Sequence, residues 1–337
     1  MLKRNIIVIG SSVGGVEALQ KVVAHLPADF PGSLFIVLHI APETHSVLPN
    51  ILSRAGKLPA RHPVDGEPIR SGHIYVAPPD HHLILQDGQV RLTRGPRENR
   101  HRPAIDPLFR SAARWYGART VGVVLTGALD DGTAGLLTIK NRGGLAIVQD
   151  PEEAFCPSMP RSALEHVKVD YVAPLARIPH LLEEAVRQPV AVGNGAGNNS
   201  NLAKEVQYAE LDMDVIEDEN RPGTPSQFAC PECGGVLWEM DEPGMLRFRC
   251  RVGHAYTAKH LQLEQGQSVE NALWAAVRAL EEGVSLFRRM AKAATARNNS
   301  QLATRYEERA REKLAHVELL RKLLVEREQP VDVEETV

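Results

Sequence analysis

Residues 6–15 read Ile-Ile-Val-Ile-Gly-Ser-Ser-Val-Gly-Gly, so a short apolar run passes directly into a loop of glycine and serine. Residues 16–26 follow with apolar side chains at helical spacing. The segment therefore predicts a buried strand, a tight turn and a helix. The same alternation of apolar runs and helical segments continues to about Val186. It predicts an α/β fold with a doubly wound, mostly parallel sheet covered by helices on both faces.

The other elements of this region are predicted from the same pattern. Further strands are expected at residues 34–38, 121–125 and 145–148, and further helices at residues 48–55, 107–116 and 132–142. Residues 73–76 and 82–85 bracket Pro78-Pro79-Asp80 and predict an antiparallel hairpin. Since ligands of such sheets gather at the carboxyl ends of the strands, the residues that follow the strands are the first candidates for function.

The composition is ordinary for a globular protein and excludes several classes of function. A chain of 337 residues favours two domains, and its net charge of −3 argues against nucleic-acid binding. No apolar run approaches the roughly 20 residues that cross a bilayer, and residues 6–9 are too short for a signal peptide. Most of the cysteines stand at metal-ligand spacing, which favours a reducing compartment. We therefore expect a cytoplasmic protein without membrane insertion.

The loop over residues 10–15 admits two functional interpretations. A dinucleotide-binding loop would carry glycine where Ser12 stands and an acidic residue where His39 ends the next strand. The alternative is G-x-S-x-G, a nucleophile on a sharp turn, with the N-terminus of the following helix ready to stabilise an oxyanion. A loop that only turns the chain fits the residues as well.

A serine nucleophile needs a base and an acid. His39 emerges at the same sheet edge as Ser12, although a histidine after a strand is often merely structural. Asp130 and Asp131 follow the strand at residues 121–125, and either could orient the histidine or cap the next helix. The order serine, histidine, acid differs from that of α/β-hydrolases. Other histidines lie in predicted turns and are expected at the surface or facing a substrate: His81, His82 and His101.

Several ordered motifs together resemble the catalytic domain of the chemotaxis protein-glutamate methylesterase family (CheB type) over about residues 5–186. The motifs are residues 9–15, the strand that ends in His39 and residues 125–132, with lesser matches at residues 75–79, 102–106, 149–151 and 159–161. The family usually carries a receiver domain ahead of the esterase, and we expect none here because the resemblance begins at residue 5.

The resemblance also assigns the site residues. The family places its nucleophile at the serine before x-Gly-Gly, which is Ser12, and its acid immediately before glycine, which is Asp131. His39 is then the base. Members often carry threonine in place of Val13 and usually carry Met-Gly in place of Ala128-Leu129.

The function that the resemblance implies is a serine hydrolase. It would demethylate γ-glutamyl methyl esters on the cytoplasmic helices of chemoreceptor-like signalling proteins, need no cofactor for catalysis, and be able to deamidate receptor glutamine. The alternative is a catalytically weak CheB-like binding or scaffold module in a signalling system outside chemotaxis.

A second site is predicted near the C-terminus. Cys230, Cys233, Cys250 and His254 form C-x2-C and C-x3-H pairs separated by a short gap, which is the ligand set of a closed, structural Zn²⁺ site. Cys156 and His260 are poorly spaced and are not expected to bind the metal.

The chain is thus divided into four predicted segments. They are a CheB-type domain at residues 1–187, a linker at 188–226, a zinc-knuckle at 227–260 and a helical hairpin at 261–337. The helices of the hairpin are expected at residues 268–295 and 300–328, with Ser300 as a possible N-cap. The apolar seams of the two helices either pack on each other or form a groove that binds a partner. The partner expected in the second case is a regulatory protein.

Overall fold

The computed structural model describes residues 2–190, 200–212, 214–215, 223–240 and 244–327. The chain divides into two compact units, Met1–Leu261 and Gln262–Val337. The first unit holds the predicted α/β region together with the Cys/His segment, and the second holds most of the helical hairpin.

A seven-stranded parallel sheet is the centre of the first unit. Its strands run in the order β10-β9-β8-β2-β3-β5-β4. The strands of this region are β1 (Leu2–Lys3), β2 (Ile6–Ser11), β3 (Ser33–Leu38), β4 (Ala60–Arg61), β5 (Ile74–Val76), β6 (His82–Gln86), β7 (Gln89–Thr93), β8 (Thr120–Val124), β9 (Leu145–Gln149), β10 (Tyr171–Ala173) and β11 (Pro189–Val190). Because β2 lies between β3 and β8, the chain extends the sheet in opposite directions on either side of β2. A crevice is expected at the carboxyl end of β2 for that reason.

Helices cover both faces of the sheet, as the sequence predicts. They are α1 (Gly15–Ala24), α2 (Leu48–Ala55), α3 (Ile105–Tyr116), α4 (Thr133–Asn141), α5 (Ser158–His166) and α6 (Ile178–Arg187). Ile7 and Ile9 of β2 belong to the apolar core on one face, whereas Ile6 and Val8 belong to the core on the other. Successive strand side chains point to opposite faces, so a strand covered on both sides must be apolar throughout.

The antiparallel hairpin is present, but its strands are not the two that were predicted. β5 pairs in parallel with β3 and β4 inside the sheet, whereas β6 pairs with β7. Asp87-Gly88 makes the two-residue turn between them, with Gly88 at a φ of 81°. That dipeptide is a strong hairpin signal. The segment over residues 78–80 instead crosses between the sheet and the hairpin, where the N–H of Asp80 donates to the carbonyl of Arg102.

The stretch predicted as a linker contains a packed helix, which corrects part of that prediction. Helix α7 (Ser200–Glu210) places Leu202, Val206 and Ala209 against Ile84 of β6. Their spacing of four and three residues is helical, and the apolar face is large enough to bury. The glycine-rich residues 191–199 lie outside the described residues.

The Cys/His segment forms a small antiparallel sheet within the first unit. Its four strands are β12 (Thr224–Ala229), β13 (Val236–Met240), β14 (Arg247–Cys250) and β15 (Ala255–Thr257). Leu237, Phe248, Tyr256 and Leu261 make its own small apolar core.

Two long helices follow the small sheet in the described residues, α8 (Ala258–Ala296) and α9 (Ser300–Arg327). The hydrophobic cluster of the second unit joins Val277 of α8 to Val317 and Leu324 of α9, which follows the predicted seams. Asn299, rather than Ser300, caps α9, because its Oδ1 accepts the N–H of Leu302 at 3.1 Å. Among the described residues, no helix is long and apolar enough to cross a membrane.

Candidate active site

Three strand ends bring the predicted triad residues to one edge of the sheet. Ser12 follows β2, and its N–H donates to the carbonyl of Thr126, in the loop after β8, at 3.0 Å. His39 follows β3, and its N–H donates to the carbonyl of Ser11 at 3.2 Å. The parallel register sets Ser11 opposite Leu38, so Ser12 and His39 leave the sheet side by side. Asp131 ends the loop after β8.

The two adjacent serines have different environments. The Ser11 side chain is fully buried, and its hydroxyl donates to the Thr126 carbonyl at 2.9 Å. Ser12 is only partly buried. A Cβ on Gly127 would lie 2.9 Å from the Cβ of Ser12, so only glycine lets this loop approach the serine so closely. Ser12 is therefore the serine that can meet a substrate.

His39 and Asp131 form a buried hydrogen-bonded pair. Nε2 of His39 lies 2.8 Å from Oδ2 of Asp131, and both side chains are nearly inaccessible to solvent. Nδ1 of His39 is also buried and has no hydrogen-bond partner among the described residues. With the Nε2 proton donated to Asp131, Nδ1 carries the lone pair that a general base needs.

Asp131 is held ionised by its donors. Burial alone would raise the pKa of this carboxyl, but the hydrogen bonds from His39 and from the N–H of Ile105 outweigh burial and lower the pKa below its ordinary value. Nδ2 of Asn99 donates to the other oxygen at 3.0 Å. Burial and the charge of Asp131 raise the pKa of the neighbouring Asp106 well above its ordinary value. The pKa values of the two neighbouring carboxyls are thus shifted in opposite directions.

The two adjacent aspartates, which residue chemistry could not separate, point to different partners. Oδ1 of Asp130 accepts from the hydroxyl of Thr257 at 2.8 Å and contacts Nδ1 of His260 at 2.6 Å. Asp131 alone contacts His39.

Comparison with known proteins identifies the family of the first unit. The family model described as CheB methylesterase matches residues 7–182, just over half of the chain. The chain belongs to the CheB methylesterase family. Among solved structures, it resembles the CheB methylesterase catalytic domain of Thermotoga maritima with 36% identity and a TM-score of 0.52, over 54% of this chain and 99% of that domain.

Curated members of the CheB family match the same part of the chain. The protein-glutamate methylesterase/protein-glutamine glutaminase 2 of Anaeromyxobacter dehalogenans is 41% identical over 182 residues, 54% of this chain and 53% of that protein. A putative protein-glutamate methylesterase/protein-glutamine glutaminase of Leptospira interrogans is 42% identical over 176 residues, 52% of this chain and 91% of that protein. The chain thus spans about half the length of the first relative and most of the second.

Loops around Ser12 hold features that matter for a CheB-type site. The hydroxyl of Thr126 donates to the carbonyl of Val13 at 2.9 Å and accepts the N–H of Cys156 at 2.8 Å, so it ties the serine loop to a neighbouring loop. Leu129 adopts a φ of 63°, a left-handed conformation, where the family usually has glycine. The backbone N–H of Ala128 has no acceptor within the described ranges, so it is a candidate oxyanion donor.

The histidines outside the triad differ in their environments: His82 is not at the surface as expected, and His101 contacts His39. His82 is fully buried, and its Nε2 bonds the carbonyl of Pro96, so it neither lies at the surface nor faces a substrate. His81 bonds the carbonyl of Pro79. The ring of His101 stacks on that of His39 with centroids 3.6 Å apart. Burial is the main cause that lowers the pKa of His101 to about 3, so His101 stays neutral.

The structure also brings the four predicted metal ligands together. The ligand atoms of Cys230, Cys233, Cys250 and His254 all lie within 4.8 Å of one another. Cys156 and His260 are outside this group.

The sequence offered no signal for Asn99, because its contact with Asp131 joins residues that lie far apart in the chain.

Proposed function

We propose that this chain is a serine hydrolase that cleaves γ-glutamyl methyl esters on receptor helices, with Ser12, His39 and Asp131 as its triad. The observation that carries the proposal is the buried 2.8 Å hydrogen bond between His39 and Asp131, beside a partly exposed serine on a strand-to-helix turn. Membership of the CheB methylesterase family supports the same reaction.

The His39–Asp131 pair and family membership support a two-step hydrolysis, in which the Ser12 hydroxyl must come within hydrogen-bond reach of Nδ1 of His39, an atom without a partner among the described residues. Nδ1 of His39 takes the hydroxyl proton of Ser12, whose oxygen attacks the ester carbonyl carbon. The oxyanion is stabilised by the N-terminus of α1 and by the backbone N–H of Ala128, since the N–H groups of Thr126 and Gly127 already donate to Gln149 and Cys156. Protonated His39 gives its proton to the methoxide, and methanol leaves. A water molecule, deprotonated by the same histidine, then releases the glutamate carboxylate and restores Ser12.

The same site accounts for glutamine deamidation. An amide passes through the same tetrahedral intermediate, with ammonia as the leaving group and the same carboxylate as product. The relatives carry both activities in their names. We therefore propose glutaminase activity as the second reaction of this site.

The substrate assignment determines the proposed location. Receptor methylation segments are cytoplasmic helices, so we propose that the chain acts in the cytoplasm. A regulatory protein that contacts α8 and α9 stays a prediction.

A methylated receptor fragment tests the proposal. The full chain should release methanol from the methylated fragment, and mass spectrometry should locate new glutamates at the former ester positions. The matched unmethylated fragment should release none. Hydrolysis of small esters together with an unreactive methylated fragment would contradict the receptor assignment and leave a general esterase.

A further inference from the structure

The cysteine and histidine cluster has the dimensions of a metal site. Sγ of Cys233 and Sγ of Cys250 are 3.7 Å apart, and Nδ1 of His254 lies 3.5 Å from Sγ of Cys250 and 3.7 Å from Sγ of Cys230. Zn–S bonds of about 2.3 Å and Zn–N bonds of about 2.0 Å at tetrahedral angles separate two sulfurs by about 3.8 Å, and sulfur from nitrogen by about 3.5 Å. The observed separations therefore match the edges of one tetrahedron.

Groups around the cluster favour a closed zinc site. Oε2 of Glu232 lies 3.2 Å from Nε2 of His254, so the histidine can donate that proton and present Nδ1 to a metal, as metal-bound histidines commonly do. Gly234 and Gly253 have φ values of 72° and 109°, which lets both ligand loops turn tightly. Three sulfurs and one imidazole nitrogen select Zn²⁺ and complete its four positions.

The hairpin that carries Cys250 and His254 continues directly into the candidate active site. In β15, the carbonyl of Ala255 accepts the N–H of Asn99 at 2.8 Å, and the N–H of Thr257 donates to Oδ1 of Asn99 at 3.0 Å. This second bond fixes the orientation of the Asn99 side-chain amide, because Oδ1 must face the N–H of Thr257. Nδ2 of Asn99 is then aimed at Asp131, at 3.0 Å.

Buried ion pairs hold the same strands against the rest of the first unit. Arg249 of β14 contacts Glu98 at 3.0 Å, and Glu98 also pairs with Arg110 of α3. Arg247 of β14 contacts Glu205 of α7 at 2.7 Å. All of these side chains are buried or nearly so. The small sheet is thus a fixed part of the unit that contains the triad.

We propose that Cys230, Cys233, Cys250 and His254 bind one Zn²⁺, and that this ion holds the β14–β15 hairpin so that Asn99 is fixed on Asp131. Asn99 is then a positioning residue, which acts on the reaction through Asp131. The ion takes no part in the reaction. The activity prediction rests on the proposed function, whereas the metal and backbone predictions do not.

Metal analysis of the purified full chain tests the first part of the proposal, that the four residues bind one Zn²⁺. We expect one zinc per chain. Cys233→Ala removes the exposed ligand and should lose the zinc, whereas Cys156→Ala removes a cysteine outside the cluster and should keep it. A chain that binds no zinc when supplied with Zn²⁺, holds a disulfide within the cluster, or keeps full zinc after Cys233→Ala overturns the metal assignment.

Hydrogen exchange tests the coupling without any activity. Removing zinc with a chelator should speed exchange of the amides at residues 97–106 and 247–260, while the amides of β2, β3 and β8 stay protected. Adding Zn²⁺ back should restore protection. Faster exchange confined to residues 226–256, with residues 97–106 unchanged, overturns the coupling and leaves an isolated metal site.

Kinetics test the positioning role of Asn99. Asn99→Ala should lower kcat for a small glutamyl methyl ester by about tenfold or more, since a hydrogen bond to a charged group is lost, with KM unchanged and the zinc retained. Asn5→Ala removes an asparagine that bonds Arg119 instead, and should leave kcat unchanged. An unchanged kcat in Asn99→Ala overturns the positioning role. If the unaltered chain hydrolyses no ester, the proposed function fails, and metal analysis and exchange still decide this proposal.

Discussion

Replacing Asp131 with asparagine removes one charge and one acceptor from the triad without changing the size of the side chain. Both carboxylate oxygens are occupied in the structure. Oδ2 accepts from His39 at 2.8 Å and from the N–H of Ile105 at 2.7 Å, and Oδ1 accepts from Asn99 at 3.0 Å. An asparagine has one acceptor oxygen, so its NH₂ group faces an existing donor whichever way the amide turns.

The size of the effect follows from this conflict. If the NH₂ group faces His39, the ring must turn its lone pair toward the amide, and Nδ1 then carries the proton. His39 in that tautomer cannot accept the proton of Ser12, and loss of the tautomer costs about 10⁴-fold in kcat in a triad of this kind. A buried donor left unpaired also lowers the free energy of unfolding by about 1–3 kcal/mol.

Asp130→Asn is the matched control for this experiment. Asp130 accepts from Thr257 and His260 through one oxygen, which an asparagine amide still supplies, so kcat should fall by less than about tenfold. The assay is methanol release from a small glutamyl methyl ester, with urea unfolding of each variant to measure stability. Equal and small losses in the two variants would refute the assignment of Asp131 as the acid.

Three further changes test the surroundings of the site. Glu98→Ala leaves Arg110 and Arg249 with Glu205 as their one remaining buried carboxylate, which Arg247 already shares, so the free energy of unfolding should fall by about 3–5 kcal/mol in a urea titration; a loss below about 1 kcal/mol would contradict the buried network. Asp106 has a folded-state pKa well above its ordinary value of 3.8. The folded chain therefore keeps a proton that the unfolded chain loses, and the free energy of unfolding falls as pH rises from the unfolded pKa to the folded pKa of Asp106. Asp106→Asn removes this slope, and the variant should therefore gain stability relative to the unaltered chain as pH rises; parallel pH curves would show that Asp106 is ionised in the fold. Leu129→Gly relieves a left-handed leucine and should raise the free energy of unfolding by up to about 1 kcal/mol, whereas a loss of that size would mean that the side chain packs productively.

The residues that the sequence could place are those fixed by local pattern. Ser12 and His39 follow apolar runs that form neighbouring parallel strands, so their position at one sheet edge follows from the fold class alone. The choice between Asp130 and Asp131 does not follow from residue chemistry; in the sequence it depended on the family resemblance, which favours the aspartate before Gly132. The fold supplies the physical reason, since the Asp131 side chain faces His39 and the Asp130 side chain faces Thr257.

The residues that the sequence could not place depend on long-range contacts. Asn99 meets β15, more than 150 positions later in the chain, with no local signal for that contact. Arg247 and Arg249 are charged and would be expected in solvent, yet they are buried because Glu98 and Glu205 neutralise them from distant elements. Helix α7 was predictable in principle from its apolar spacing, but its glycine-rich surroundings favoured a linker.

Methanol release from a methylated receptor fragment by Ser12→Ala and Ser11→Ala variants tests the central claim most directly. The account predicts that Ser12→Ala loses several orders of magnitude in rate, since the nucleophile is gone, while its fold and zinc content are unchanged. Ser11→Ala should retain most of the activity, because that hydroxyl only donates to the Thr126 carbonyl. Full activity in Ser12→Ala, or its loss only in Ser11→Ala, would contradict the account.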